Sequence, residues 1–342
     1  MTGQQGLVVS DLWQEFKTEQ GKLEILKGLN LAIAAGEFVS LLGASGAGKT
    51  SLLRIIAGLD RPRSGRVTFA GKELDPGQVG YLFQKPVLYP HLTVKENIIF
   101  GSKLRGFRGK LDQDHYRRLL SLLDIKDLQD RRPAQLSGGQ AQRVGLARAL
   151  VRRAALVLFD EPLSSVDEEL SASIRADIKD LHRQLGFTAL YITHNQNEAF
   201  ELGQRVAVLD AGRITQLASP QQLLKEPASL AVAQLTSYPS LNQVRVASSR
   251  ILALKPQALS DRKEAGKNRV PVRLLTSYTT LTGYVCWVQT CQTVTWQTKS
   301  GLVLALPAET RLVWLSPEAP RVEAGAELDL YASAQQSLLF TG

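Results

Sequence analysis

The sequence predicts an α/β domain with a mostly parallel sheet, followed by a small all-β, barrel-like domain. Across residues 1–235, short apolar runs alternate with amphipathic stretches of helical period, which is typical of parallel α/β folds. Strand patterns fade over about residues 86–150, where we expect an inserted helical subdomain. Across residues 236–342, short runs rich in Val, Thr and Trp are spaced by turn residues, as in a small barrel or sandwich. A chain of 342 residues also favours two domains over one.

Individual elements follow from the same patterns. In the first domain four apolar runs have strand length, namely Phe38–Leu42, Leu156–Phe159, Ala189–Thr193 and Val206–Asp210. A helix is expected from Thr50 to about Gly58. In the second domain we expect six strands, at Val270–Leu275, Thr282–Val288, Thr293–Thr298, Leu302–Leu306, Arg311–Leu315 and Glu327–Tyr331. The stretch Ser237–Ser240 is expected to link the two domains.

Charge and hydropathy narrow the possible functions. The net charge of +9 divides into +4 over residues 236–342 and +5 over the remainder, so it forms no basic block and we expect no nucleic-acid partner. No apolar run approaches the ~20 residues that span a bilayer, and the N-terminus lacks the pattern of a secretory signal. Any role at a membrane is therefore expected to depend on a partner chain.

A phosphate-binding loop follows the first apolar strand. The pattern G-x-x-x-x-G-K-[ST] is met by Gly43, Ala44, Ser45, Gly46, Ala47, Gly48, Lys49 and Thr50, and we include Ser51 in the same nucleotide-binding stretch. Glycines let consecutive N–H groups point at phosphates, and the helix N-terminus adds positive potential. Lys49 is expected to reach the β- and γ-phosphates and Thr50 to offer its hydroxyl to Mg²⁺. The fold class is thus a P-loop NTPase.

Two carboxylates end the strand Leu156–Phe159. The carboxyl ends of strands are where ligands of α/β sheets gather. Asp160 is suited to Mg²⁺, which takes oxygen ligands, and Glu161 could accept a proton from an attacking water.

A second anion site is predicted at the start of another helix. Ser137 is a favourable N-cap residue for the helical pattern that follows it. Backbone N–H donors are expected to be exposed in the first turn of this helix, at Gly138, Gly139 and Gln140. This site has no phosphate loop of its own nearby in the chain. We therefore expect it to bind the nucleotide of a second, identical subunit.

These motifs together resemble the ATP-binding subunits of ABC transporters. LSGGQ, GASGAGKT and LVLFDEP carry the resemblance, which covers residues 7 to about 235. It implies that Gln84 senses Mg²⁺ and nucleotide, that Asp167 lies in the loop crossing the dimer, and that His194 contacts the γ-phosphate. It also implies that Phe16 stacks on adenine. The activity implied is ATP hydrolysis with Glu161, His194 and Lys49 as catalytic residues, and Thr50, Gln84 and Asp160 at the Mg²⁺.

The appended β-region extends the resemblance to importers of the maltose, sulfate, polyamine and iron subfamily. Tyr89-Pro90-His91 is most similar to the sugar and polyol members. The resemblance implies a second copy of the chain, transmembrane permease subunits and, indirectly, an extracytoplasmic solute-binding protein. It also implies peripheral attachment to the cytoplasmic face of the inner membrane.

Two alternatives remain open. One is an importer subunit for polyamine, sulfate or iron. The other is a soluble ABC ATPase that acts on nucleic acid, with Trp287, Trp296 and Trp314 stacking on bases.

Overall fold

The structure is a computed structural model of the chain. It describes residues 5–18, 21–75, 79–103, 111–237, 242–247, 250–254, 256–262, 267–280, 283–297, 303–316, 319–320, 322–333 and 337–341. Two compact units are present, Met1–Glu226 and Pro227–Gly342.

The first unit contains two sheets. Its strands are β1 Gln5–Thr18, β2 Gly21–Ala34, β3 Phe38–Gly43, β4 Ser64–Phe69, β5 Lys72–Glu73, β6 Val79–Leu82, β7 Leu156–Asp160, β8 Thr188–Thr193, β9 Arg205–Asp210 and β10 Arg213–Ala218. A six-stranded sheet has the order β10-β9-β3-β8-β7-β6, and only its β9–β10 pair is antiparallel. A four-stranded antiparallel sheet has the order β2-β1-β4-β5.

Helices of the first unit connect these strands. They are α1 Lys49–Ile56, α2 Val94–Ile99, α3 Gln113–Leu122, α4 Gly138–Leu150, α5 Glu168–Leu185, α6 Gln196–Leu202 and α7 Pro220–Lys225. Single 3₁₀ turns cover Phe100–Lys103, Lys126–Leu128 and Pro133–Gln135. Most of these helices begin with a side-chain cap, such as Asp112 before α3, whose carboxylate accepts from two backbone N–H groups. Among the described residues, no helix combines the length and apolar character needed to cross a membrane.

The six-stranded sheet separates two hydrophobic cores. Along β7, Leu156 and Leu158 face one core while Val157 and Phe159 face the other, because successive side chains alternate between faces. The first core includes α1 and the antiparallel sheet, and the second includes α2 to α5. Burial on both faces explains the continuous apolar runs of the parallel strands.

Over its described residues, the second unit is all-β apart from one short helix, α8 Leu230–Leu235, and a 3₁₀ turn at Pro256–Ala258. Its strands are β11 Asn242–Ala247, β12 Arg250–Leu254, β13 Leu259–Ser260, β14 Lys267–Thr280, β15 Gly283–Thr290, β16 Val294–Gln297, β17 Val303–Leu306, β18 Arg311–Ser316, β19 Glu327–Ser333 and β20 Ser337–Thr341. They form sheets of order β11-β12-β20, β13-β19-β14-β15-β18 and β16-β17. All three contribute to this barrel-like unit, and strands from each line one core that contains Trp296 and Trp314.

The predicted fold class is confirmed. The helical region between Lys85 and Leu150 and the six expected strands of the second unit are present, with ends that differ by a few residues. Several strands were not expected from the sequence, namely β1, β2, β4, β5 and β10 of the first unit and β11, β12, β13 and β20 of the second. The first unit ends at Glu226, before α8, whereas the sequence analysis includes α8 in the first domain. Residues 238–240 of the expected linker lie outside the described residues.

Candidate functional site

The register of the parallel sheet brings three strand ends to one level. Leu42 of β3 pairs with Thr193 of β8, and Asp160 of β7 pairs with Ile192 of β8. The residues that follow these ends therefore leave the sheet side by side. The segments that follow are the phosphate loop, the turn at Glu161 and the turn at His194.

The phosphate loop depends on glycines at particular positions. Gly46 and Gly48 have φ angles of 80° and 102°, a region that side chains other than glycine rarely adopt. Gly48 is the N-cap of α1, and a Cβ there would lie 3.0 Å from Cδ2 of Leu26. The loop is thereby held against β2 at the start of α1, where helix N–H groups lack partners within the helix.

Lys49 is the buried cation of the site, with only 5% of its surface exposed. Its Nζ donates to the backbone oxygens of Gly43 at 2.9 Å and Ala44 at 3.1 Å. It also lies 3.3 Å from Oε1 of Glu161. A buried ammonium at the N-terminus of a helix is suited to bind phosphate oxygens in place of these three oxygen partners.

Glu161 and His194 form a second pair. His194 Nδ1 lies 3.0 Å from Oε2 of Glu161, and since a carboxylate only accepts, the proton belongs on Nδ1. Glu161 has a φ angle of 44°, and its N–H donates to the oxygen of Ile192 at 3.1 Å. Lys49 and His194 therefore hold one carboxylate oxygen of Glu161 each. The backbone conformation at Glu161 costs about 1–2 kcal/mol for a residue with a Cβ.

Asp160 receives two hydroxyl groups. Thr50 Oγ1 donates to Oδ1 at 3.4 Å, and the Tyr81 hydroxyl donates to Oδ2 at 2.9 Å. Burial raises the pKa of Asp160 above its ordinary value, and these two hydrogen bonds oppose that rise. Burial and the Asp160 carboxylate also raise the pKa of Tyr81, so its hydroxyl keeps the proton that it donates.

Gln84 is connected to the same turn through Ser164. Gln84 Nε2 donates to Ser164 Oγ at 3.0 Å, and Ser164 Oγ donates to the backbone oxygen of Glu161 at 3.1 Å. The Gln84 side chain is exposed. The segment after β6 is thus joined by hydrogen bonds to the turn that carries the candidate base.

A second group of predicted residues lies at the starts of α4 and α5. Ser137 and Gln140 form a capping box, with Gln140 N donating to Ser137 Oγ at 3.3 Å and Ser137 N donating to Gln140 Oε1 at 3.1 Å. A Cβ on Gly139 would lie 2.6 Å from Cδ1 of Leu170, which places α4 against the first turn of α5. Asp167 caps α5 by accepting from Leu170 N at 2.9 Å.

The predicted residues therefore fall into two groups. In the first group Lys49 and His194 both contact Glu161, and Thr50 contacts Asp160. Gln84 is joined to the Glu161 turn through Ser164. Within the described part of the chain, no hydrogen bond or ion pair joins Ser137–Gln140 or Asp167 to Gly43–Thr50.

Phe16 and Ser51 have no hydrogen bond or ion pair with the first group among the described residues. Phe16 lies on β1 opposite Leu23 of β2, the strand that holds the loop, and the residue is 44% exposed. Ser51 is the half-buried third residue of α1.

Three residues of the site were not identified from the sequence. Tyr81 and Ser164 are described above. Gln142 is only 1% exposed, and its Nε2 donates to the oxygen of Pro162 at 2.8 Å, which ties α4 to the turn after Glu161. Tyr81 and Ser164 lie within the motifs VGYLFQ and LSSVD, and Gln142 follows LSGGQ by two residues, so proximity to a motif was the available signal.

The fold matches that of ATP-binding cassettes. The profile described as ABC transporter matches residues 26–164. The structure of the ATP-binding cassette MJ0796, a dimer in a post-hydrolysis state bound to ADP and Pi, is 30% identical, with a TM-score of 0.55 over 62% of this chain and 98% of that one. CbiO1 from Clostridium perfringens, part of the ABC transporter complex cbiONQ, has a TM-score of 0.57 at 27% identity, over 66% of this chain and 92% of that one. This chain belongs to the ABC transporter family.

Curated relatives refine the comparison. The sn-glycerol-3-phosphate import ATP-binding protein UgpC of Cupriavidus necator is 41% identical over 236 residues, which are 68% of this chain and 64% of the relative. UgpC of Vibrio vulnificus is 42% identical over 237 residues, with the same shares. The chain thus matches somewhat less than two thirds of the length of these relatives, and the similarity is to importer-type ATP-binding proteins.

The strain at Glu161 makes a prediction about stability. Glu161→Gly and Glu161→Ala remove the same carboxylate, but only alanine retains a Cβ at a φ angle of 44°. We expect the glycine variant to have a free energy of unfolding about 1 kcal/mol greater than the alanine variant, measured by chemical denaturation. An alanine variant at least as stable as the glycine variant would show that the position is unstrained.

Proposed function

We propose that this chain binds and hydrolyses ATP, and that hydrolysis powers uptake of a solute through a separate membrane permease. The observation that carries the proposal is the contact of Glu161 with both Lys49 and His194 at the end of the phosphate loop. In a member of the ABC transporter family, this places a carboxylate beside the groups that would hold the γ-phosphate.

Each side chain has a distinct proposed role. Lys49 binds the β- and γ-phosphates together with the N–H groups of the loop. Glu161 accepts a proton from the attacking water, and His194 contacts the γ-phosphate. Since both oxygens of Glu161 are fixed by its neighbours, catalysis rests mainly on positioning and electrostatic stabilisation.

The donor set around Asp160 supports a Mg²⁺ ion that accompanies the nucleotide. The described residues contain no cluster of three or more His, Cys, Asp or Glu side chains that could hold a metal alone. Mg²⁺ at phosphates needs only one or two protein carboxylates, since phosphates and water complete its shell. Asp160, the Thr50 hydroxyl and the Gln84 amide fit that requirement, and the ion would neutralise charge on the phosphates.

The second group of residues supports a site completed by another copy of the chain. Ser137, Gly138 and Asp167 are exposed at the starts of α4 and α5, where N-terminal N–H groups favour anions. We propose that they bind the nucleotide held by the phosphate loop of a second copy. The dimeric state named for the MJ0796 cassette supports this arrangement.

The permease would engage the segment after Gln84. Val87 and Tyr89 are exposed apolar side chains there, and Arg148 of α4 donates to the oxygen of Val87. We propose that this segment contacts permease subunits on the cytoplasmic face of the inner membrane. An extracytoplasmic binding protein would select the solute, and the UgpC relatives favour a sugar or polyol.

The structure offers less support for a nucleic-acid function. Trp296 and Trp314 are buried in the β core, so neither ring is available to stack on bases. The side chain of Trp287 lies outside the described residues.

Glu161→Gln tests the proposed base. The substitution preserves size while removing the proton acceptor, so we expect steady-state ATP turnover to fall at least ~10²-fold with ATP still bound. Glu169→Gln, an exposed carboxylate in the first turn of α5, is the matched control and should turn over normally. Near-normal turnover by Glu161→Gln would remove Glu161 from the base role.

Ser137→Ala tests the second anion site. Ser219 forms an equivalent capping box with Gln222, at 3.3 and 3.2 Å, so Ser219→Ala removes the same kind of cap outside the site. Each variant should lose about 1 kcal/mol of stability. Only Ser137→Ala should also lose ATP turnover, by about 10-fold or more, since a hydrogen bond to a charged phosphate is worth about 1.5–3 kcal/mol. Equal turnover in the two variants would limit Ser137 to a capping role.

A further inference from the structure

Tyr81 reaches the site from the edge strand of the six-stranded sheet. In the parallel ladder Tyr81 of β6 lies opposite Leu158 of β7, two residues before Asp160. Two residues of strand span about 6.6 Å, a distance that only a long side chain directed along the strand can bridge. The hydroxyl bridges it and donates to Oδ2 of Asp160 at 2.9 Å.

The two oxygens of Asp160 have different partners. Oδ1 is 3.4 Å from the Thr50 hydroxyl, at the end of the phosphate loop, and Oδ2 is held by Tyr81. The Thr50 contact is long for a hydrogen bond between oxygens, whereas the Tyr81 contact is within the normal range. Tyr81 is therefore the stronger constraint on the orientation of this carboxylate.

The ring of Tyr81 has a second contact, which faces the Gln84 segment. Its centroid lies 4.4 Å from that of Phe83, the residue immediately before Gln84. The Tyr81 ring thus packs against Phe83, the neighbour of Gln84, which is one candidate Mg²⁺ ligand. The Tyr81 hydroxyl binds Asp160, which is another candidate ligand. Phenylalanine at this position would preserve the ring contact and lose only the hydrogen bond.

We propose that Tyr81 is a positioning residue that orients the Asp160 carboxylate so that Oδ1 is presented to the Mg²⁺ of the nucleotide. This inference rests on the proposed function. Partners that hydrogen-bond metal-binding carboxylates typically alter metal affinity about 10–100-fold when they are removed. Tyr81→Phe should therefore weaken the binding of the metal and leave the metal-independent contacts with the phosphates intact.

The test separates metal affinity from nucleotide affinity. With a non-hydrolysable ATP analogue present, the dissociation constant of Mn²⁺, used in place of Mg²⁺, is measured by electron paramagnetic resonance. The dissociation constant of the analogue is measured separately in excess EDTA. For Tyr81→Phe we expect Mn²⁺ to bind about 10-fold more weakly or worse, with the affinity in EDTA within about twofold of the wild type.

Tyr116→Phe is the matched control. Its hydroxyl donates to Gln129 Oε1 at 2.8 Å in the helical region, so the variant also loses one hydrogen bond between side chains. Neither dissociation constant should change in Tyr116→Phe. Thermal unfolding of Tyr81→Phe and Tyr116→Phe shows whether the two lost hydrogen bonds cost a similar amount of stability.

Two results would overturn the role of Tyr81. One is an unchanged Mn²⁺ affinity in Tyr81→Phe, and the other is an equal loss of affinity with Mn²⁺ and in EDTA, which would indicate a general structural role. A wild-type chain that binds no nucleotide under either condition would instead refute the proposed function, and this inference with it.

Discussion

The candidate site depends on the register between three neighbouring parallel strands. Because β3, β8 and β7 end at one level, the phosphate loop, His194 and Glu161 leave the sheet beside one another. Shifting one strand by two residues would move its terminal side chains by about 6.6 Å and break the contacts of Glu161 with Lys49 and His194. The two cores on either side of the sheet resist such a shift, since each strand is buried on both faces.

A second set of residues makes no hydrogen bond or ion pair with the phosphate loop among the residues that the structure describes. Ser137 and Asp167 use their side chains to cap α4 and α5, and Gly139 packs against Leu170. These contacts make a rigid pair of helix N-termini. The buried hydrogen bond from Gln142 to Pro162 ties that pair to the turn after Glu161. A nucleotide held by the phosphate loop of one copy would therefore contact α4 of the second copy, and this bond would link it to the Glu161 turn of that second copy.

Much of the site could be predicted from sequence because its chemistry lies at the ends of elements with strong local signals. An apolar strand followed by GASGAGKT, and another followed by Asp-Glu, predict neighbouring positions as soon as the sheet is taken to be parallel. The hydrogen bond from Tyr81 to Asp160 depends instead on which strand lies beside β7 and in which register. The local sequence pattern of β6 specifies neither its neighbouring strand nor its register. The same reason applies to Gln84 and Ser164, which are 80 residues apart. β20 was not expected because its partner, β12, lies far away in the chain. β11 and β12 are consecutive elements and are longer than the expected β16 and β17, so neither distance nor length explains why they were missed.

We propose that one chain supplies only half of each ATP site. Sedimentation of the Glu161→Gln variant, with and without ATP and Mg²⁺, tests this proposal, because the variant would preserve bound ATP. We expect a species of two 37.5 kDa chains with ATP and Mg²⁺, and single chains without them. A variant that binds ATP and Mg²⁺ and still sediments as a single chain would contradict it.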